Sequence, residues 1–293
     1  MKIIFTSKTI GREKRMRQRK QFFKRLLAGA MTGVMLAGTV GMQLPASVAD
    51  AAPANRAVGE ISVNPQVHYQ TLKGWGTSMC WWGNVIGSWG DKDFNNNGRP
   101  DREEIAELAF SPEYLNLNIV RYNVGGGDKE DSSIKRVEGL VPGWTEDMTG
   151  KADGTGAFNA ADFYAKKTEE MSDAGQLWML EQANRWRKDT ATKNGTENDI
   201  INEVFSNSPP YYMTKSGSST GGVNAASNLK EECYDDFALY MARAAKWIEN
   251  DLSTKFGSHV NYIEPMNEPD TNYWSNGSAK QEGCVFKPGA EQS

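Results

Sequence analysis

The sequence predicts an α/β protein with a parallel sheet, of the (β/α)8 TIM-barrel type. One reason is the order of its elements, because a predicted helix separates each apolar strand from the next. Another is that Asp128, Asn207 and Glu268 each follow the carboxyl end of a predicted strand, the face that carries the active site of a barrel. A doubly wound sheet is the alternative, although Gly125 to Gly127 lack the spacing of a dinucleotide-binding loop.

The first 51 residues read as a secretory signal. Met1 to Arg25 holds ten basic residues and one acid, and Leu26 to Leu44 is apolar and rich in Gly and Ala. Small residues at Ala49 and Ala51 then form a signal-peptidase pattern. A membrane anchor is the alternative. We therefore expect a secreted, extracellular protein with no stable membrane insertion after signal cleavage.

The charge of the mature chain excludes some partners. Of the 33 basic and 37 acidic residues, cleavage after Ala51 removes ten and two, which leaves 23 and 35 and a net charge of −12. No mature segment is strongly basic, so nucleic acid is not an expected partner. The whole chain has two His, so few residues are available for a His-based metal site or catalytic triad.

Each element of the mature chain has its own pattern. The strands are predicted from alternation or apolar runs, and the helices from apolar residues spaced by three or four. In chain order they are short strands within 60–78, a helix over 103–110, a strand within 115–128, a helix over 160–187 broken at Gly175, a strand over 201–205, a helix over 229–252 and a strand over 260–263. The strand at 201–205 stops before Pro209 and Pro210, since proline cannot continue a ladder.

Four motifs resemble glycoside hydrolase family 30. They are "GWGTSMCWWGN" (74–84), "NIVRYNVGGGD" (118–128), "FSNSPPYYM" (205–213) and "PMNEPDTNYW...QEGC" (265–284). They occur in the family's order, and within the family the chain is most similar to the endo-β-1,6-galactanase group. The resemblance implies retaining chemistry and a (β/α)8 barrel with a β-sandwich side domain. Residues 52–73 then form an N-terminal β segment of the side domain or barrel lead-in, and 74–293 the barrel part.

By this resemblance, Glu268 is the general acid/base. Tyr273 and Trp274 would supply apolar surroundings that keep its carboxyl group protonated until it donates, and Trp274 would also contact substrate. Asn267 resembles the amide that holds the sugar 2-hydroxyl group. Arg121 resembles the residue that keeps nearby carboxylates ionised and oriented, although a structural ion pair is compatible with that role.

The resemblance also implies residues that bind substrate. Asp128 resembles the acid that binds hydroxyl groups of the terminal-subsite sugar, with a helix or turn cap as the alternative. Trp75, Trp81 and Trp82 are candidate aromatic platforms, but adjacent Trp81 and Trp82 cannot both face one sugar, and core packing is the alternative for these two. Asn207 stands where many family members carry Trp, which favours the galactanase-like group.

A further motif, D-x-N-x-N-G-x5-E, lies outside the family pattern. It predicts a calcium loop in which Glu104 closes the site and Asp101 stands at the position of a water-mediated ligand, and an Asn/Gly turn that caps the following helix is the alternative. The candidate ligands are Asp93, Asn95, Asn97, Asp101 and Glu104. No cofactor is expected for catalysis itself.

Retaining glycosidases need a second carboxylate as the nucleophile. The resemblance places it on a late strand, beyond Glu268, yet only 25 residues follow Glu268. The predicted strands are spaced by about 63 residues, so eight units need on the order of 500 residues. We therefore expect about the first half of a barrel, truncated at its C-terminal end, with no nucleophile in the chain and no activity on its own.

The sequence as a whole predicts a secreted retaining glycosidase that acts on β-1,6-linked galactan, such as arabinogalactan side chains, so the expected partner is a polysaccharide. A related β-glycanase acting on β-1,6-glucan or xylan is one alternative, and a non-catalytic galactan-binding protein is another. Of Cys80, Cys233 and Cys284, the first and last are the expected pair if a disulfide forms, since both follow strand ends.

Overall fold

A computed structural model describes residues 66–128, 139–149, 155–276 and 281–287 of the 293. The described residues from Tyr69 onward belong to one compact unit. The predicted signal (1–51) and positions 52–65 of the N-terminal β segment lie outside the described residues. Within the described ranges, no helix is long and apolar enough to cross a membrane.

Strands and helices alternate along the described chain. The strands are β1 (Gly76–Ser78), β2 (Ile119–Asn123), β3 (Ile201–Phe205) and β4 (Val260–Glu264). The α-helices are α1 (Trp82–Gly87), α2 (Asp101–Phe110), α3 (Thr145–Thr149), α4 (Ala160–Ala165), α5 (Ala174–Asn194) and α6 (Tyr234–Phe256). These bounds confirm the predicted order of elements, although positions 66–75 hold no strand.

The four strands form one sheet in the order β1-β2-β3-β4, and every neighbouring pair is parallel. The predicted parallel α/β architecture of the TIM-barrel type is thereby confirmed at this level. Eight-stranded closure and a β-sandwich side domain stay predictions, because the described sheet has four strands. Since all four strands run the same way, their carboxyl ends meet at one edge, which we call the carboxyl edge.

The two faces of the sheet differ in chemistry because side chains alternate along a strand. On β2 and β3, Val120 and Val204 are buried among the helices. Their neighbours Arg121 and Glu203, which are partners in the β2–β3 register, point to the opposite face. The helices therefore cover an apolar face, while the other face carries charge.

Aromatic rings form the centre of the core between sheet and helices. Trp144 is fully buried, and its ring centroid lies 6.2 Å from Tyr122, 6.2 Å from Phe163 and 5.7 Å from Trp247. All three contacts are edge-on, the arrangement that the charge distribution of aromatic rings favours. The cluster joins β2, α4 and α6 to the segment before α3.

The predicted apolar stripe on the last long helix is confirmed for α6. Five members of the stripe are buried and contact the core: Phe237, Met241, Ala244, Ile248 and Leu252. The helix begins later than predicted, at Tyr234, after a 3-10 turn. It ends at Gly257, which adopts the left-handed conformation (φ 64°) that favours glycine.

The predicted break at Gly175 is wrong, because Gly175 lies in the first turn of α5 and the chain breaks earlier, between Ala165 and Ala174. This glycine is present for close packing. A Cβ atom on Gly175 would lie 2.2 Å from Ser88 Oγ, and one on Gly87 would lie 1.9 Å from the carbonyl oxygen of Gly175. The two glycines let α1 and α5 approach backbone to backbone.

This packing predicts that Gly87→Ala destabilises the protein. Alanine raises helix propensity by about 1 kcal/mol over glycine, so a net loss can come only from the clash with the Gly175 backbone. We expect the free energy of unfolding to fall by about 1–3 kcal/mol, measured by urea denaturation. Thr192→Ala, at an exposed position of α5, is the control and should change it by less than about 0.5 kcal/mol. A Gly87→Ala protein as stable as the wild type would contradict the close contact.

Candidate active site

The carboxyl edge brings together most of the residues that the sequence singled out. Asp128 follows β2, Asn207 follows β3, and Asn267 and Glu268 follow β4. Trp75 does not join them, because it precedes β1 and therefore lies at the amino end of that strand. Its predicted role as a sugar platform is not compatible with this position.

Arg121 on β2 connects the neighbouring strands. Its Nε atom donates to Glu203 Oε1 at 2.8 Å, and Nη2 donates to Glu264 Oε2 and, at 3.1 Å, to Asn267 Oδ1. The guanidinium carbon lies 3.6 Å from the ring centroid of Phe205. The predicted partners of Arg121 are thus present, as one carboxylate on β3 and one on β4.

Sequence reasoning missed Glu203 and Glu264. The available signal was an acid in the middle of "INEVF" and another at the end of "VNYIE", each inside an otherwise β-prone run. Burial raises the pKa of Glu264; the bond from Arg121 lowers it, nearby Glu203 raises it again, and the net direction is upward. Burial alone would lower the pKa of Arg121, but its bonds to Glu264 and Glu203 raise it, so Arg121 stays cationic.

Glu268 occupies a strained turn at the end of β4. Its φ is 48°, in the left-handed region that side-chain-bearing residues seldom adopt. The carbonyl oxygen of Glu268 accepts hydrogen bonds from Trp274 Nε1 at 3.2 Å and Thr271 Oγ1 at 3.1 Å, which hold the turn. The side chain is exposed, and its Oε2 atom accepts a hydrogen bond from the Tyr273 hydroxyl group.

The expected apolar enclosure of Glu268 by Trp274 is wrong. Trp274 is 7% exposed and packs against Gly283, where a Cβ atom would lie 2.3 Å from the indole ring. A ring buried in this way cannot stack on a sugar, so the predicted substrate contact of Trp274 is also contradicted. Its contact with Glu268 runs through the backbone carbonyl group, which makes it a support for the turn.

The adjacent tryptophans after β1 have different surroundings. Trp82 packs toward the core, with its ring 6.3 Å from that of Phe110 and its Nε1 donating to Ser78 O at 2.9 Å. Trp81 is half-buried at the start of α1 and follows the carboxyl end of β1. Trp81 therefore stays the candidate platform.

Asn207 is buried in the protein interior. It is 4% exposed, its backbone N–H donates to Asn123 Oδ1 at 3.2 Å, and its side-chain amide donates to Cys80 Sγ at 3.3 Å. This placement favours a role in shaping the edge over direct contact with substrate.

Cys80 and Cys284, the pair expected if a disulfide formed, are not bonded to each other, since both residues and Cys233 are free thiols. Cys80 accepts the hydrogen bond from Asn207, and Cys284, fully buried, donates to Val285 O at 3.4 Å. Burial raises the pKa of both the Cys80 and the Cys284 thiol to about 12. Neither thiol is therefore a nucleophile at ordinary pH.

Asp128 lies in a loop and does not cap any helix in the described part of the chain. Its Oδ2 atom accepts hydrogen bonds from Ser218 Oγ at 3.0 Å and Ser219 Oγ at 3.5 Å. Asp128 also lines a cleft of about 550 Å³, together with Asn84, Glu146 and Tyr211. The cleft size falls within the range of small-molecule sites.

The loop predicted to bind calcium is closed by its own hydrogen bonds. Asp93 accepts the backbone N–H groups of Asn97 (3.0 Å) and Gly98 (2.6 Å). The side-chain amide nitrogens of Asn95 and Asn97 donate to Glu104 at 3.1 and 2.8 Å. Asn95 donates to Asp101 as well, at 2.6 Å. Within the described ranges, no group of three or more His, Cys, Asp or Glu is arranged to hold a metal ion, and the calcium site stays a prediction.

Comparison with known proteins identifies relatives. Residues 58–288 match the model of O-glycosyl hydrolase family 30. An exo-β-1,6-galactobiohydrolase of Bifidobacterium longum subsp. longum is 33% identical over 249 residues, 73% of this chain and 15% of that protein. An endo-β-1,6-galactanase of Hypocrea rufa is 27% identical over 244 residues, 79% of this chain and 44% of that protein. The chain thus spans less than half the length of either curated relative.

Among solved structures, a conserved exported protein from Bacteroides fragilis shares the fold. The superposition gives a TM-score of 0.54 at 24% sequence identity, and covers 76% of this chain and 39% of that one.

The Arg121 cluster predicts a pH-dependent loss of stability in Arg121→Ala. Without the guanidinium group, Glu203 and Glu264 face each other with no cation, so the folded-state pKa of Glu264 rises further above its unfolded value. Stability is then lost as pH rises from about 4.5 through that raised pKa. We expect the free energy of unfolding at pH 7.5 to fall by about 1–2 kcal/mol, limited by solvent screening, and by less at pH 4.5. The double variant Arg121→Ala/Glu264→Gln should show a smaller pH dependence, and equal deficits at both pH values would refute this account.

The two interpretations of the loop at 93–104, a calcium site and a capping turn, predict different thermal unfolding. If it binds calcium, a chelator lowers the melting temperature and Asp93→Ala abolishes that response, because ligand binding stabilises only the folded state. If it is a capping turn, the melting temperature responds to neither chelator nor added calcium. Thermal unfolding of both proteins with chelator and with calcium decides between them.

Proposed function

The chain belongs to O-glycosyl hydrolase family 30, and from that premise we propose that it forms part of a retaining glycosidase acting on β-1,6-linked galactan, with Glu268 as the general acid/base. The names of both curated relatives, an exo-β-1,6-galactobiohydrolase and an endo-β-1,6-galactanase, support the linkage and the sugar. Arabinogalactan side chains are the proposed natural source of such a polymer.

The position of Glu268 is the observation that carries the proposal. It is an exposed carboxyl group at the carboxyl end of β4, beside Asn267, on a turn held in a strained conformation. Strain of this kind costs roughly 1–3 kcal/mol and persists where the surroundings impose it, often at functional sites. An acid in this place protonates the leaving-group oxygen, then takes a proton from water in the second step.

Neighbouring side chains supply the remaining contacts in the proposed site. Asn267 Oδ1 accepts from Arg121, which orients the amide so that its nitrogen can donate to a sugar hydroxyl group. Asp128, at the edge of the cleft, accepts hydrogen bonds from hydroxyl groups of the same or the next sugar. Trp81 offers an apolar surface for a sugar ring.

We assign the nucleophile to none of the described carboxylates at this edge. Glu282 is fully buried, and Glu203 and Glu264 are held by Arg121. Asp128 bonds Ser218 and has the proposed binding role. The proposed covalent step therefore needs a carboxylate beyond these, about 5–5.5 Å from Glu268 as in other retaining glycosidases. We propose no cofactor for catalysis, and secretion because the N-terminal pattern and the acidic mature chain fit an external, uncharged polymer.

The acid/base proposal predicts the kinetics of Glu268→Gln in the full-length protein, by which we mean a protein that contains this chain together with the proposed nucleophile. Because acid/base assistance supplies roughly 10²–10⁴-fold, the kcat on β-1,6-galactan should fall by that order. An aryl β-galactoside with a good leaving group needs little protonation, so the loss on it should be smaller in the first step. Reducing-end release and phenol absorbance measure the two reactions.

The control is Glu197→Gln, an exposed acid before the amino end of β3, which should leave both activities unchanged. Equal losses on both substrates in Glu268→Gln would argue against the acid role. A wild-type protein that binds β-1,6-galactan in affinity electrophoresis but releases no reducing ends would favour the non-catalytic binding protein instead. Preferential release from β-1,6-glucan or xylan would favour the related β-glycanase.

A further inference from the structure

Glu282 is a buried acid that the proposed reaction does not use. It lies in the segment 281–287, which follows the Glu268 turn, and none of its surface is exposed. Its Oε1 atom accepts the backbone N–H groups of Gly126 at 3.1 Å and Val141 at 3.3 Å. Its Oε2 atom accepts the side-chain amide of Asn123 at 3.1 Å. All three donors belong to the end of β2 and the chain that follows it, so one side chain from beyond β4 occupies a socket built by the β2 loop.

The backbone of the same segment is bonded to the other loops of the carboxyl edge. Phe286 N donates to the carbonyl oxygen of Pro269, the residue after Glu268, at 2.8 Å. Gly283 N donates to Ser219 O at 2.9 Å, next to the serine hydroxyl groups that contact Asp128. Gly283 also packs against the Trp274 ring. The segment therefore joins the loop of the proposed acid/base to the loop of Asp128.

Asn123 extends this connection to the third strand. Its Nδ2 donates to Glu282, while its Oδ1 accepts the backbone N–H of Asn207 at 3.2 Å. The carboxyl group of Glu282 thus determines which way the Asn123 amide faces, and through it supports Asn207 after β3. Loss of this acceptor would free the amide to rotate and would leave buried donors on Asn123, Gly126 and Val141 without a partner.

We propose that Glu282 is a positioning residue, whose buried carboxyl group fixes the position of the Glu268 turn relative to the loop of Asp128. This rests on the function proposed above. Glu282 touches no reacting atom; it acts through the 281–287 segment and Asn123. A displacement of about 1 Å at a reacting group can cost on the order of 100-fold in rate, so a remote support of this kind has a kinetic consequence.

The ionisation of Glu282 agrees with a role as hydrogen-bond acceptor. Burial raises its pKa to about 8, against the opposing effect of bonds from Asn123, Val141 and Gly126. Asp173 raises it further, and among the described residues Cys80 and Tyr240 also interact electrostatically with Glu282. In either protonation state its oxygen lone pairs can accept the bonds from Asn123, Gly126 and Val141.

The test compares Glu282→Gln with Glu181→Gln in the full-length protein. Glu181 is a partly buried acid on α5 that pairs with Lys255 on α6, so it controls for the loss of a partly buried carboxylate away from the carboxyl edge. Gln keeps the acceptor for Gly126 and Val141 but turns an NH₂ group toward Asn123. We expect Glu282→Gln to lower kcat on β-1,6-galactan about 10-fold or more with KM changed less than about 2-fold. The loss on an aryl galactoside with a good leaving group should be smaller, and Glu181→Gln should keep wild-type kinetics.

Amide hydrogen exchange tests the same proposal without an activity measurement. Exchange in 265–276 and in 123–128 should accelerate in Glu282→Gln and stay at the wild-type rate in Glu181→Gln. If Glu282→Gln does not fold, Glu282→Asp keeps the acid but withdraws it by one methylene group and should give the same pattern. Wild-type kcat on galactan, or unchanged exchange in both segments, overturns the positioning role. If the wild type does not hydrolyse galactan, the proposed function fails, and the exchange result alone decides the role of Glu282.

Discussion

The carboxyl edge of this protein depends on one guanidinium group, that of Arg121. It reaches from β2 to Glu203 on β3 and Glu264 on β4, and then to Asn267 beside the proposed acid/base. A planar fork of donors suits this task, whereas a lysine ammonium would present one point charge on a flexible stem. Because Arg121 also stacks over Phe205, the polar contacts have a fixed base, and the position of Asn267 is tied to the sheet itself.

The turn of Glu268 shows how the protein stabilises a conformation that the residue alone would avoid. A φ of 48° is unfavourable for a side-chain-bearing residue, and local bonds must offset the cost. Trp274 and Thr271 donate to its carbonyl oxygen, and the next residue, Pro269, accepts from Phe286. The buried indole ring therefore supports the backbone of the turn, while Glu268 itself is exposed.

Local patterns predicted the elements well because each depends on its own residues. The runs at 119–123 and 201–205 are apolar and β-prone, and the stripe on α6 repeats at helical spacing. The break at Gly175 failed because a glycine that permits close packing looks the same in sequence as one that ends a helix. Propensity is a weak prior where tertiary contacts intervene.

The same contrast between local patterns and tertiary contacts applies to the candidate site. The resemblance singled out Glu268, Asn267, Arg121 and Asp128, and all four lie at the carboxyl edge or reach it. Sequence could not tell a sugar platform from a packing ring, because Trp75, Trp81 and Trp274 carry the same apolar surface. Nor could it give the hydrogen-bond partners of Glu203, Glu264 or Glu282, since those partners lie on other strands and loops. Those pairings depend on strand register and loop path, which no local pattern contains.

Two acids near this edge, Glu282 and Asp173, are buried and accept hydrogen bonds from neutral groups. Glu282 joins the β4 loop to β2, and Asp173 accepts from Tyr122 Oη at 2.7 Å and Gln176 Nε2 at 2.6 Å. In the part of the chain that the structure describes, no Lys or Arg hydrogen-bonds to either carboxyl group. Burial raises the pKa of Glu282 to about 8 and that of Asp173 to about 7.

The stability consequence follows from the sign of these shifts. A folded-state pKa above the unfolded one means that the folded protein binds the extra proton, so these two groups contribute stability that declines from about pH 4 to pH 8. An exposed carboxyl group whose folded-state pKa is lowered has the opposite effect on the pH dependence of stability. The pKa of Glu249 is raised by burial but lowered more by bonds from His259 and the Val260 N–H, so it contributes stability that is lost on acidification. Because Glu282 and Asp173 are fully buried and Glu249 is largely solvated, screening weakens the second effect more than the first. The two buried carboxyl groups beneath the proposed site therefore contribute most stability at mildly acidic pH, whereas Glu249, which bonds the amino end of β4, contributes more as pH rises.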